Sequence, residues 1–368
     1  MGPDRGGQGA VSAPIETAHG AIATPAFLPD ATRGFVRGLA ADDLERCGAP
    51  ALVMSTFHVM QNPGSSVVRA LGGVHGLAAW RGPILTDSGG FQIYSLVREQ
   101  PKRGSIAERG ITFQPEGAPR PFRLTAEKTV TLQVGFGADI VVCLDDCRHA
   151  DDSEADHRIS VERTIRWGRE GRRAFDRIAP HERRPLLFAV IQGGASKALR
   201  QYCAEELLAI GFDGFGFGGW PLDAAGDLLV DTLAWTRELV PAPLPLHALG
   251  IGHPESIVRA AAMGYALFDS ALPTRDARQG RLYHVQEGLE QVDLRQPGWF
   301  DRIYLRDEKQ ARARGPIDEG CSCPACARFS LAYLHHLFRN DDAQVARLAT
   351  LHNLTFMARL TARLRLGR

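Results

Sequence analysis

Eight short apolar runs, each ending in polar or glycine residues, recur along this 368-residue chain. They cover residues 24–29, 51–56, 83–87, 139–145, 186–192, 214–219, 246–250 and 266–269. Runs this short and this continuously apolar suit strands buried on both faces of a parallel sheet. Between most of them the pattern shifts to a helical period, as at 154–176, 197–210, 228–239 and 255–263. Eight strands alternating with helices predict an α/β fold, a (β/α)8 TIM barrel of about that many units. An open doubly wound sheet is the second choice, and no G-x-G-x-x-G follows the first strand to support it.

Two segments break the alternation. Residues 97–122 are rich in Arg, Gly and Pro, and read as an insertion after the third strand, built as a hairpin. After the eighth strand comes a segment without barrel pattern, then a helix over 344–368 with Leu348, Leu351, Leu354 and Met357 at helical spacing. The division expected is a tail at 1–20, a catalytic barrel at 21–295, and an appended subdomain with a closing helix at 296–368.

In such a barrel, chemistry gathers at the C-terminal ends of the strands. Those ends carry Asp87-Ser88-Gly89-Gly90-Phe91-Gln92, Asp145-Asp146, Gln192-Gly193-Gly194, Gly218-Gly219, Gly250-Ile251-Gly252 and Asp269. Read singly, an acid after a strand caps a helix and Gly-Gly makes a turn. Six such clusters on one face instead predict a site for a small polar ligand, with glycine backbone close to it and at least two working carboxylates.

Composition narrows the class. Apolar residues make up 44% and charged ones 23%, values of a globular chain, and no apolar stretch nears the ~18 residues of a membrane span. Residues 1–10 are glycine-rich without an apolar core, so a tail on a cytoplasmic protein is expected rather than a secretory signal. Net charge is only +1, but Asp301–Arg368 holds twelve Arg/Lys against seven Asp/Glu. A basic end suits a polyanion, and equally a solvated helix face.

Three of the seven cysteines stand in Cys321-Ser-Cys323-Pro-Ala-Cys326, and His352 follows on the last helix. Three thiolates and an imidazole are a ligand set that tetrahedral zinc takes in closed structural sites. Disulfides are the competing reading, and nothing else in the chain points to an oxidising compartment. Cys47, Cys143, Cys147 and Cys203 sit mostly in apolar runs, as small buried residues do.

Together, Leu85-Thr-Asp-Ser-Gly-Gly-Phe-Gln92, Phe268-Asp-Ser-Ala-Leu-Pro-Thr-Arg275 and the Cys321/Cys323/Cys326/His352 set resemble the signatures of the tRNA-guanine transglycosylases. The resemblance runs from about residue 23 to the end. It implies a zinc-containing TIM barrel that exchanges guanine for a 7-deazaguanine at wobble position 34 of tRNA. It implies Asp269 as nucleophile and Asp87 as general acid/base, with Ser88, Gly89, Gly90, Phe91, Asp145, Gln192, Gly219, Trp220 and Leu249 around the base. Phe91 and Leu249 would sandwich the ring. Gly250, Gly252, His253, Glu255, Thr274, Arg275 and Arg278 would meet the anticodon loop. One structural zinc per chain is implied, and so is a homodimer paired through Phe329, Tyr333 and His336.

The chain departs from the family after the sixth strand. Gly218-Gly-Trp220-Pro221-Leu222-Asp223-Ala224 stands where most bacterial members read Gly-Gly-Leu-Ala-Val-Gly-Glu. Pro221 has no N–H to offer, and the glutamate that supports a switchable peptide is lost at Ala224. Ser55 replaces a family Asn, and His253 replaces a frequent Lys. Two further readings stay open: a paralogue acting on another deazaguanine or nucleic acid, and a non-catalytic tRNA-binding partner subunit. Retention of both aspartates counts against the latter.

Overall fold

The computed structural model describes residues 13–114, 121–223 and 225–367. Ala224 therefore lies outside the described residues. All eight apolar runs become parallel strands: β1 (Ala26–Pro29), β2 (Leu52–Ser55), β3 (Ile84–Asp87), β4 (Ile140–Val142), β5 (Leu186–Ile191), β6 (Gly214–Phe217), β7 (Leu246–Ala248) and β8 (Leu267–Ser270). They lie in the order β1-β8-β7-β6-β5-β4-β3-β2. The bridge between Asp30 and Val53 joins the two edges, so the sheet closes as the expected TIM-like barrel.

Alternation along each strand sorts two cores. Leu28, Val53, Leu85, Ile140, Val142, Phe188, Val190 and Leu267 form a buried cluster of their own. Phe27, Met54, Val141, Ala189 and Phe268 join the larger cluster that includes helix residues such as Phe175 and Leu207. The helices that carry the argument are α1 (Gly90–Glu99), α2 (Ala126–Gly135), α3 (Glu154–Ile178), α4 (Lys197–Ile210), α5 (Val230–Leu239), α6 (Pro254–Ala262), α7 (Leu272–Arg278) and α8 (Ala343–Arg365). Ser153 and Ser196 cap α3 and α4 with their hydroxyls, accepting from Asp156 N and Leu199 N.

The expected tail at 1–20 is corrected at its end. Ile15–Thr17 and Gly20–Ile22 form an antiparallel hairpin, and Ile15 and Ile22 join the Leu28 and Val53 cluster. His19 and His75 fasten it. His19 Nδ1 lies 2.8 Å and His75 Nε2 3.1 Å from the two oxygens of buried Asp139, and the imidazoles stack at 3.7 Å. Burial alone would raise the Asp139 pKa, but hydrogen bonds from His75, His19 and Ile84 N hold it below the ordinary carboxylate range.

The insertion is a three-stranded antiparallel sheet of Gly104–Ala107, Gly110–Phe113 and Phe122–Leu124. Past the barrel, Arg281–His284 pairs with Asp301–Tyr304. The expected division at 295 falls inside the connection of that ribbon. Helix α8 packs on β1, on α7 and on the Arg281–His284 strand. Its Asn353 accepts from Tyr283 N and donates to Pro273 O and Arg281 O, all at 3.0 Å. Arg347 near its start pairs with Asp43 ahead of β2, and Arg365 at its end donates to Pro25 O ahead of β1 at 2.8 Å.

Candidate active site and candidate metal centre

At the end of β3, the Asp87 carboxylate is wrapped by donors. Oδ1 accepts from Gly89 N at 2.8 Å and Thr56 N at 3.3 Å, and Oδ2 accepts from Gln92 Nε2 at 2.7 Å. Gly89 takes φ +77°, and a Cβ there would come 2.7 Å from Phe57 Cβ, so the turn that delivers its N–H requires glycine. Burial pushes the Asp87 carboxyl up to about 7 against the pull of Gln92 and Gly89, and the like charge of Asp269 adds to the rise. Ser55 stands in register opposite Asp87, in the strand next to it.

Asp269 is the last residue but one of β8, with its side chain 19% exposed. Gly250 N donates to its Oδ1 at 3.2 Å, and His247 Nε2 lies 2.8 Å from the same oxygen. His247 is fully buried in β7 and hides inside an apolar run, where sequence reading passed over it.

Across the mouth, Gln192 Nε2 donates to Asp145 Oδ2 at 2.7 Å. Burial lifts the Asp145 carboxyl to about 6, and the neighbouring Asp146 charge adds to it. Asp146 itself turns away to Arg163 and Arg148. Arg200 of α4, also missed in sequence, is fully buried beneath this end. It donates to Gly194 O at 2.7 Å, Ile191 O at 3.2 Å and Gly218 O at 3.0 Å, with its guanidinium over the Phe217 ring. One cation thereby sets both glycine turns that follow β5 and β6. Its signal was faint, because an Arg on an amphipathic helix reads as solvated.

Gly219 has φ +91°, and an added Cβ would make ordinary contacts with Arg200 Nη2 at 3.8 Å and Gln192 Oε1 at 3.9 Å. Beyond it, Trp220 packs edge-on against Phe91 at 5.6 Å and His149 at 5.5 Å. Phe91 and Trp220 are both exposed, making an aromatic rim. Leu249 tucks against Gly216, where a Cβ would meet it at 2.9 Å. Ser88 is buried and accepts from Gly90 N. Pro221 O accepts from Leu229 N at 2.9 Å, and Asp223 Oδ1 accepts from Ala225 N and Asp227 N, so the departing segment is a hydrogen-bonded turn.

Of the residues expected at the anticodon, Thr274, Arg275 and Arg278 lie on α7, immediately past Asp269. Arg275 is exposed, Arg278 half-buried, and Thr274 buried with its hydroxyl on Ala271 O. His253 and Glu255 face the 298–300 segment instead: His253 meets the Phe300 ring at 5.3 Å, and Glu255 accepts from Gly298 N. Gly252 is closed in by Ser270, 2.3 Å from where its Cβ would stand.

Cys321, Cys323, Cys326 and His352 come together as a group that could hold a metal ion. Their sulfurs lie 3.8, 3.7 and 3.3 Å from His352 Nδ1. A tetrahedral zinc with ordinary bond lengths would space sulfur and nitrogen by about 3.6 Å. His352 is fully buried, and its Nε2 lies 2.7 Å from Tyr283 O. That contact makes Nε2 the protonated nitrogen and leaves the Nδ1 lone pair aimed at the thiols, the outer-sphere arrangement of ligating histidines. The remaining four cysteines are buried free thiols.

A family model described as queuine tRNA-ribosyltransferase matches residues 8–366. A queuine tRNA-ribosyltransferase of Novosphingobium aromaticivorans is 36% identical over 351 residues, spanning 95% of this chain and 89% of its own. That of Desulforudis audaxviator is 35% identical over 351 residues, covering 95% and 88%. That of Aliivibrio salmonicida is 36% identical over 348 residues, covering 94% and 87%.

Proposed function

The chain belongs to the queuine tRNA-ribosyltransferase family, and on that premise we propose that it is a tRNA-guanine transglycosylase working by double displacement. The observation that carries the reading is the pairing of two unlike carboxyls. Desolvation pushes the half-buried Asp87 carboxyl up to about 7, and the half-buried Asp269 is oriented by Gly250 N. Two carboxyls held by different neighbours at one mouth can divide acid and nucleophile roles.

Asp269 attacks C1′ of nucleotide 34. The C1′–N9 bond breaks with its electron pair passing to guanine, and Asp87 hands that base its proton. The incoming base then gives its N9 proton to the Asp87 carboxylate, bonds to C1′, and frees Asp269. Two inversions give net retention, the logic of retaining glycosidases. Asp145 and Gln192 read the purine edge, with Gly219 backbone beside them.

The entering base is a 7-substituted 7-deazaguanine. The turn fixed by Pro221 supports a dedicated carbonyl, and the Trp220 rim supports the small aminomethyl base preQ1 over queuine. Zinc on the Cys3His set is structural, since four protein ligands leave no open position. The stacked and partly exposed Phe329 and Tyr333, with ring centroids 5.1 Å apart, support a homodimer. The protein works in the cytoplasm, where its tRNA substrate is. No helix among the described residues is long and apolar enough to cross a membrane.

Incubation with unmodified tRNA carrying a G-U-N anticodon and radiolabelled guanine tests the reaction class. Label in the tRNA is expected, and its absence would overturn the reading.

A further inference from the structure

At the end of the barrel opposite the candidate active site, separate chain segments meet on one carboxylate. Asp139 stands just ahead of β4 with its side chain 1% exposed, and Ile84 N at the start of β3 donates to its Oδ2 at 2.8 Å. His19 comes from the turn of the N-terminal hairpin. The Thr17 hydroxyl sets that turn, accepting from His19 N at 3.2 Å and donating to Gly20 O at 2.7 Å. His75 comes from the short helix Gly73–Ala78, which Val74 N ties to Phe136 O just past α2.

Charge and geometry mark this cluster as more than a hydrogen-bonded clasp. Among the described residues no Lys or Arg pairs with Asp139, and its ion-pair partners are His19 and His75. A buried carboxylate needs a counter-charge, and a neutral imidazole brings an N–H without one. His19, His75 and Asp139 each offer a ligand atom within 4.8 Å of the others. The nitrogen–oxygen separations are 2.8 Å for His19 and 3.1 Å for His75. Ligands on zinc bonds of about 2.0–2.1 Å stand about 2.9–3.4 Å apart, from right-angled to tetrahedral geometry, so an ion enters with little movement. The His19 side chain is 31% exposed, which gives an ion a way in from solvent.

We propose that His19, His75 and Asp139 form a second metal site, separate from the Cys3His set and suited to zinc. Two imidazoles and one carboxylate select such an ion over magnesium and calcium, which take oxygen ligands. Each imidazole turns a lone pair to the metal by carrying its proton on the other ring nitrogen. The Ile84 N–H on Oδ2 fixes the carboxylate, as hydrogen bonds fix ligating groups elsewhere. Three protein ligands leave room for water, so this ion exchanges more readily than one enclosed by the Cys3His set. Its work is mechanical. It fastens the hairpin across the N-terminal mouth of the barrel, where Ile15 and Ile22 join the inner cluster.

The test starts from purified enzyme with its Cys3His set filled by one zinc per chain. Equilibrium dialysis against added zinc should show one further equivalent, retained in excess magnesium. His19→Gln and His75→Gln should each lose that equivalent and keep the first. Added zinc should slow deuterium exchange at residues 15–22 of the native protein and leave it unchanged in His19→Gln. A native protein that takes no second equivalent would overturn the proposal. So would variants that take it as readily as the native chain, since the ion would then sit on other histidines. A second equivalent without slower exchange in the hairpin would overturn the fastening role.

Discussion

His247 Nε2 sits 2.8 Å from Asp269 Oδ1, an imidazole with no exposed surface pressed against the carboxyl proposed as nucleophile. Gly250 N donates to the same oxygen at 3.2 Å, and the imidazole, whose nitrogens make no hydrogen bond among the described residues, abuts it, so Oδ2 is left for chemistry. His247→Leu should therefore lower kcat by about 10²-fold, the scale of a misplaced reacting group, with KM for tRNA little changed. His247→Gln, whose amide nitrogen reaches the position of Nε2, should recover much of the loss. Equal damage from both variants would make the role one of packing alone.

Asp269→Ala should abolish exchange, and the native enzyme trapped with tRNA should give a covalent adduct that survives a denaturing gel. Near-native exchange by the variant would displace the nucleophile to another residue.

Asp87→Asn should leave tRNA binding by gel shift intact and cut exchange by about 10²–10⁴-fold. Its stability should move the other way. The carboxyl ionises near 3.8 in the unfolded chain and near 7 here, so between those values the native state holds a proton that the unfolded state releases. Native stability contributed by this group is complete below the lower value and is lost as pH rises through the upper one, by at most about 4 kcal/mol. Asn cannot ionise. Gln92 Oε1 is buried without a partner and can accept from the new amide once the Gln92 side chain turns over. Melting at about pH 5 and about pH 8 should show the variant's advantage mainly at the higher pH. A constant difference would deny the raised pKa.

Trp220→Leu should widen the rim it forms with Phe91 and His149 and improve competition by queuine relative to preQ1 in guanine-exchange assays. If neither base nor the nitrile preQ0 competes while guanine exchange persists, the deazaguanine assignment falls.

The barrel was legible because parallel strands buried on both faces leave continuous apolar runs with abrupt polar ends, and those ends carried Asp87, Asp145, Gln192 and Asp269. Residues whose partners are remote were not legible. His247 lies in an apolar run and Arg200 on an amphipathic helix, and only closure of the barrel brings either to its site. His19 meets Asp139 across 120 positions, and the hairpin it anchors offers just Ile15 and Ile22 as apolar signals.

Metal content of the purified protein should be about one zinc per chain, and Cys323→Ser or a chelator should destabilise the C-terminal part. Intermolecular disulfides in place of zinc would overturn the assignment.

That loss should not stay local. The barrel is a hoop fastened at one thin place, the single bridge between Asp30 and Val53. Helix α8 spans that place from outside, with Arg347 gripping Asp43 ahead of β2 and Arg365 gripping Pro25 ahead of β1. His352 sits midway along the same rod. The thiol cluster is thus the rivet of a clasp whose jaws are the first two staves. Stripping the metal should quicken amide exchange first in β1 and β2, which end beside the catalytic mouth, while β4 to β6 across the hoop stay protected.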